Sequence, residues 1–129
     1  MPVESSLRDP FVTAAKREVT FTKEQIAAYA EASGDHNPIH LDGAFARSVG
    51  LPGIIAHGML QMGILGCVAS DAAGGPRRLR RLYCRFAGMV EPGDTVTFAA
   101  EDAGPGRLSL TAVNQRGEPV LTKASAEYL

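Results

Sequence analysis

Between Gly58 and about Asp71 the chain has no proline and puts apolar side chains on every face of a helix: Met59, Leu60, Met62, Ile64, Leu65, Cys67 and Val68. A helix that is apolar all round must be covered all round. The chain has 129 residues, enough for one domain and hardly a second. The cover therefore has to come from the same domain or from a partner. Gly74-Gly75-Pro76 ends the helix, and the pattern then changes to a period of two. Leu82/Cys84/Phe86, Val96/Phe98/Ala100, Leu108/Leu110/Ala112 and Val120/Thr122/Ala124/Ala126 each mark one face of a strand. Short breaks at Glu91-Pro92-Gly93-Asp94, Ala103-Gly104-Pro105-Gly106 and Gln115-Arg116-Gly117-Glu118 predict an antiparallel meander of about four strands. The sum is an α+β architecture, a sheet wrapped around one buried helix.

Upstream of the helix the signals are local. Residues 1–17 lack a clear period and are expected to be an N-terminal arm, with residues 18–129 as the single domain. Glu18–Phe21 reads as a short strand. Thr22-Lys23-Glu24-Gln25 is a capping-box pattern opening a helix whose stop is Gly34. Asn37-Pro38 is a turn, and Asp42 caps a short helix over 44–49 that ends at Gly50.

Composition narrows the class. Apolar residues make up 45% and charged residues 21%, which sets aside disorder and a disulfide scaffold. Thirteen basic against fourteen acidic side chains give a charge of −1, no general attraction to nucleic acid or anionic lipid. Cys67 and Cys84 form no C-x-x-C pair, which suits a reducing cytoplasm, although one disulfide between them stays open at this point. The stretch Ile54–Ala69 is too short and too interrupted to span a bilayer, and the first ten residues carry no signal-peptide pattern.

The densest polar cluster is Ser33-Gly34-Asp35-His36-Asn37-Pro38-Ile39-His40. Asp35 and His40 would diverge on a continuous helix, but a turn at Asn37-Pro38 can fold them towards one point. A carboxylate beside an imidazole holds a water or moves a proton near neutral pH. Asn37 can fix the turn through its own backbone. Taken alone, the segment could equally be a polar loop between two helices. A metal site from Asp35, His36 and His40 is the weaker reading, because the two histidines lie on opposite sides of the turn and no cysteine is near. A second element is Ile55-Ala56-His57-Gly58-Met59 at the start of the apolar helix. Free N–H groups there favour developing negative charge, and Gly58 has no side chain to obstruct a carbonyl oxygen. His57 by itself reads as a hydrogen-bonded packing residue.

Together these segments resemble a family. Tyr29 to His40, with Ala46 six positions on, resembles the hydratase-2 signature of the MaoC-like (R)-specific enoyl-thioester hydratases. Ile55-Ala56-His57-Gly58-Met59-Leu60 resembles the start of that family's central helix, and Arg85-Phe86 with Val90 to Val96 its strand-and-turn block. The resemblance covers about residues 17–129. It implies a hotdog fold, assembly as a homodimer or with a related hotdog subunit, and no cofactor of the protein's own. It also implies reversible hydration of 2-enoyl thioesters, or dehydration of (3R)-hydroxyacyl thioesters, carried by CoA or acyl carrier protein. Carried over, Asp35 would orient the water, His40 would be base or acid, and the Gly58 N–H would polarise the thioester carbonyl. Asn37, Pro38 and His57 would support them. The segment Val49–Ile64 is especially similar to the catalytic B-type subunit of actinobacterial (3R)-hydroxyacyl-carrier-protein dehydratases. Some single-subunit members have a serine about two turns into the central helix, where this chain has Gly63 and Gly66. The rivals are a hotdog thioesterase and a non-catalytic thioester-binding subunit; the Asp35/His40 pair argues against both.

Arg77, Arg78, Arg80, Arg81 and Arg85 put five basic residues into nine positions without an acid. Strand alternation would send Arg78 and Arg80 one way and the others the opposite way. One reading is a charged strand that resists edge-to-edge association. The other is a substrate phosphate site formed by Arg78, Arg80, Arg81 and Arg85.

Overall fold

A computed structural model describes residues 13–129. Five strands, β1 (Thr13–Thr20), β2 (Leu79–Phe86), β3 (Thr95–Asp102), β4 (Arg107–Asn114) and β5 (Pro119–Tyr128), form one antiparallel sheet in the order β1-β3-β4-β5-β2. The helices are α1 (Lys23–Ser33), α2 (Gly43–Ser48) and α3 (Gly58–Ala73), with short 3-10 turns at Pro38–His40 and Pro76–Arg78. α3 touches both edge strands, β1 and β2, as well as β3 and β4. One helix can reach both edges of a five-stranded sheet only if the sheet curves around it. Leu65, Val68 and Ala69 of α3 meet Val96, Phe98 and Ala100 of β3 and Leu108, Leu110 and Ala112 of β4 in one core.

The capping signals upstream hold residue by residue. Thr22 accepts the Gln25 N–H at 3.0 Å, and Gly34, at φ 78°, ends α1 with its N–H on the Ala30 carbonyl. Asp42 accepts the Phe45 N–H, although α2 runs Gly43–Ser48, one residue earlier than expected.

Four expectations need correction. The first strand is longer and earlier than Glu18–Phe21: it starts at Thr13, inside the stretch read as an arm, while residues 1–12 of that stretch lie outside the described residues. Its register on β3 shifts between Thr13 and Ala15, which blurs the period that sequence reading relies on. The meander holds only for β3-β4-β5. β2 pairs with β5 instead of β3, because residues 87–94 cross the end of the barrel-like sheet. In that crossing the Ala87 and Gly88 N–H groups donate to the Val120 carbonyl, and the Val90 carbonyl accepts the Ala56 N–H at 2.7 Å.

The described residues do not cover α3 all round either. Met59, Gly63 and Cys67 face outward, and a groove of about 410 Å³ runs past Gly63, Gly66, Cys67 and Ser70. The sheet reaches only part of the helix circumference. Finally, alternation fails for the arginines. Arg77 and Arg78 lie in the 3-10 turn, and a register shift between Leu79 and Arg81 leaves Arg80 and Arg81 both exposed. The cysteines are both free, which answers the open question of a disulfide. Among the described residues no helix is long and apolar enough to cross a membrane.

Candidate active site

The site forms where three loops meet at the N-terminal end of α3. The chain leaves α1 at Gly34 and enters an Asx-type turn in which the Asp35 carboxylate accepts the Asn37 N–H and the Asn37 side chain accepts the Ile39 N–H, each at 3.2 Å. Pro38 opens the 3-10 turn, its fixed φ being suited to the first helical position. That turn carries His40 inward to 8% exposure. The Ile55 N–H donates to the Ile39 carbonyl, stitching the turn to the segment that leads into α3.

These contacts fix the histidine tautomers. His40 Nδ1 lies 2.7 Å from the Ile55 carbonyl oxygen, which can only accept, so Nδ1 carries a proton and in the neutral ring Nε2 is the bare nitrogen. His57 Nε2 lies 3.1 Å from the Asp35 carbonyl oxygen, so there Nε2 carries a proton and in the neutral ring Nδ1 is the bare nitrogen. The two rings stack with centroids 3.7 Å apart and planes at 24°, and Tyr29 of α1 meets His57 edge-on at 4.8 Å. The Asp35 carboxylate and ring nitrogens of His40 and His57 lie within 4.8 Å of one another. These three groups are close enough to hold a metal ion, although one nitrogen of each ring is already engaged by a backbone carbonyl. His36, weighed as a ligand from sequence, turns away to Glu31 at 2.7 Å; this hydrogen bond, against a small opposing effect of burial, raises its pKa above the usual imidazole value.

Gly58 opens α3 directly after His57, the N-cap. Packing favours glycine at this position: a Cβ there would sit 3.0 Å from Cε1 of Phe86, a residue 55% exposed beside the helix end. Phe86, Met59 and Met89 on one side and Leu41, Phe45 and Val49 on the other are large exposed apolar groups on the segments that frame the site. Five of the expected residues, Asp35, Asn37, Pro38, His40 and His57, thus share this corner, with Gly58 adjoining. Tyr29, the Ile55 carbonyl and Phe86 complete it and were not singled out as site residues. Tyr29 lies on the same helical face as buried Ile26, which is the one local signal for it.

The arginines are elsewhere. Arg78 donates to the Leu129 carbonyl and lies over the Tyr128 ring, and Arg85 bonds the Tyr83 hydroxyl at 3.3 Å. Arg80 and Arg81 are exposed and have no ion pair among the described residues. Arg78 packs against Gly74, at the far end of α3; a sixteen-residue helix is roughly 24 Å long, so that end is distant from Gly58.

Known proteins fit this architecture. The chain is 36% identical over 110 residues to the peroxisomal hydratase-dehydrogenase-epimerase of Neurospora crassa, covering 85% of this chain and 12% of that protein. It is 41% identical over 118 residues to the fatty acid synthase subunit beta of Aspergillus oryzae, covering 80% of this chain and 6% of that one. The chain therefore spans only a small part of these curated relatives. Among solved structures, the (R)-hydratase from A. caviae involved in PHA biosynthesis superposes with a TM-score of 0.74 at 26% identity, over 92% of this chain and 96% of that one. The fold is the hotdog fold. With residues 6–123 matching the MaoC-like domain model, the chain belongs to the MaoC-like domain family.

Proposed function

We propose that this protein is a hydro-lyase that adds water to trans-2-enoyl thioesters and, in reverse, dehydrates (3R)-hydroxyacyl thioesters. The observation that carries the reading is the His40 ring: its Nδ1–H is spent on the Ile55 carbonyl, which leaves Nε2 as the nitrogen free to act as a base, and the ring reaches within 4.8 Å of the Asp35 carboxylate near the N-terminus of α3. Asp35 holds the water by one hydrogen. His40 Nε2 takes the other as the water oxygen bonds C3, and electrons move onto the thioester oxygen. The Gly58 N–H and the α3 dipole stabilise that oxygen. The proton taken by His40 then goes to C2, so one water is added in full and no external reagent is needed. No metal or cofactor takes part in this scheme.

The open face of α3 and the free edge of β2 support assembly with a second hotdog chain, either identical or a related subunit as in a B-type dehydratase arrangement. Antiparallel pairing of two β2 edges would bring Arg80 and Arg81 of the second copy towards the Phe86 end of this one. There they, with Arg85, would meet the phosphates of a CoA or carrier-protein arm; Arg78 is already engaged at the C-terminal strand. A cytoplasmic setting suits the two free thiols.

Crotonyl-CoA hydration, followed by loss of the enoyl absorbance together with free-thiol release, tests the reading. Absorbance loss without thiol release is the expected result. Thiol release in step with substrate loss would make the protein a thioesterase, and no turnover alone or with a co-expressed related subunit would leave a binding subunit. Arg80→Ala/Arg81→Ala should raise KM for the CoA substrate and leave kcat unchanged.

A further inference from the structure

His57 does more than pack. It is 2% exposed, its Nε2–H donates to the Asp35 backbone carbonyl, its ring lies flat against His40, and its Nδ1 has no hydrogen-bond partner among the described residues. Asp35 and His40 reach the same corner from either side of a proline turn, and His57 meets both residues, Asp35 at its backbone carbonyl and His40 at its ring. We propose that His57 is a positioning residue: held as the neutral Nε2–H tautomer, it ties the Asp35 backbone to the N-terminus of α3 and supplies the face that fixes the ring plane of His40. The role rests on the hydro-lyase reading of Asp35 and His40.

The surroundings set which nitrogen carries the proton. A second proton on His57 would create a buried N–H with no acceptor, a costly arrangement. The titratable groups facing it are Tyr29 from α1, edge-on, the Asp35 carboxylate, which is exposed and solvated, and His40 from the 3-10 turn. None of these offers a hydrogen bond to Nδ1. A doubly protonated His57 would also bring two imidazolium rings face to face whenever His40 holds a proton during turnover. A neutral His57 leaves that proton on His40 alone, at Nε2, where the substrate needs it.

Mere packing and positioning predict different things. A packing residue only has to fill volume, so its tautomer is immaterial. A positioning residue has one tautomer and transmits its loss to kcat, because a misplacement of about 1 Å in a catalytic group costs on the order of 10²-fold.

The chain has three histidines, so 15N-labelled full-length protein gives three assignable rings in long-range 1H–15N spectra. In its neutral form His57 is expected to carry its proton on Nε2. His40 is expected as Nδ1–H. A neutral His57 ring that carries its proton on Nδ1 overturns the proposal. This arm uses no substrate, so it decides the tautomer even if the protein hydrates nothing. The second arm uses crotonyl-CoA turnover. His57→Gln keeps a donor at similar reach and removes the ring; His57→Phe keeps a ring and removes the donor. Each should lower kcat on the order of 10²-fold with KM little changed. In the Gln variant His40 should lose its single tautomer, whereas in the Phe variant it should keep it. Wild-type kcat in either folded variant overturns the proposal.

Discussion

Replacing His40 by alanine and Asp35 by asparagine should separate structure from chemistry at the site. His40 is 8% exposed, and alanine removes both its hydrogen bond to the Ile55 carbonyl and its stack on His57. A neutral hydrogen bond contributes about 1 kcal/mol, and stranding the half-buried carbonyl costs about 1 kcal/mol more. The ring stack adds about 1 kcal/mol. The expected loss is about 3 kcal/mol, or roughly 12 °C in Tm for a domain of this length at about 4 °C per kcal/mol. Asp35 is exposed, and an asparagine oxygen accepts the Asn37 N–H as the carboxylate does, so Asp35→Asn should melt within about 0.5 kcal/mol of the parent. Both variants should lose about 10²–10⁴ in kcat, the usual worth of a positioned general acid or base. That is about 3–5 kcal/mol on the barrier. Thermal melting by circular dichroism and enoyl-CoA hydration on the same samples give the two readings. If His40→Ala melted with the parent, the Ile55 tie and the tautomer drawn from it would be wrong. If Asp35→Asn melted as low as His40→Ala, Asp35 would be a structural residue.

Three further outcomes follow from other parts of the molecule. Asp94 is 7% exposed; burial works against its charge, but hydrogen bonds from Gln115 and the Glu91 N–H, with Arg116 nearby, hold its pKa below the usual carboxylate range. A depressed native pKa gives stability that is present above the unfolded value of about 3.9 and lost as pH falls through the native one. Asp94→Asn should therefore cost about 1.5–3 kcal/mol in urea melts at pH 7, with the gap to the parent closing below about pH 4. Gly88→Ala should destabilise by about 1–3 kcal/mol, because its Cβ would stand 3.1 Å from the Pro119 carbonyl oxygen and 3.4 Å from the Val120 Cα, backbone atoms that cannot swing aside. Gly63→Ala, whose Cβ would meet nothing among the described residues, serves as the control in the same melts. In Glu31→Gln the His36 titration midpoint should fall towards about 6.5 in NMR, with turnover unchanged. The raised value in the parent means that this pair adds stability below the unfolded pKa and loses it as pH rises through the native one.

What could be read from sequence was whatever is encoded within a few residues. Thr22 and Gly34 bracket α1 because a cap is a local hydrogen-bond problem with a local solution. The buried faces of β3 and β4 follow Val96/Phe98/Ala100 and Leu108/Leu110/Ala112 because a regular pleat preserves period two. β5 departs from it where Lys123 takes φ 49° and the register slips, so Val120 and Leu121 are both buried. The place of β2 was not legible, because pairing with β5 instead of β3 is decided by the route of residues 87–94 over the end of the core. At the site, Asp35 and His40 stand out through their proline turn. The His40–His57 stack does not, since it depends on the Ile39–Ile55 and Ala56–Val90 hydrogen bonds between loops far apart in sequence.

The strand order has a kinetic consequence. Thr20 of β1 meets Thr95 of β3 across 75 residues, whereas β3, β4 and β5 follow one another through tight turns. Closing the long loop costs chain entropy before any contact is gained, so the three-strand meander should form early and the two edges dock late. The Asp35–Gly58 segment lies inside that long loop and should settle only as β1 closes. Substitutions in the corner that holds His40 should then speed unfolding and leave refolding nearly unchanged, while those in β4 should slow refolding. By this reckoning the chemistry sits in the last part of the molecule to form, and changes there leave the folding nucleus intact.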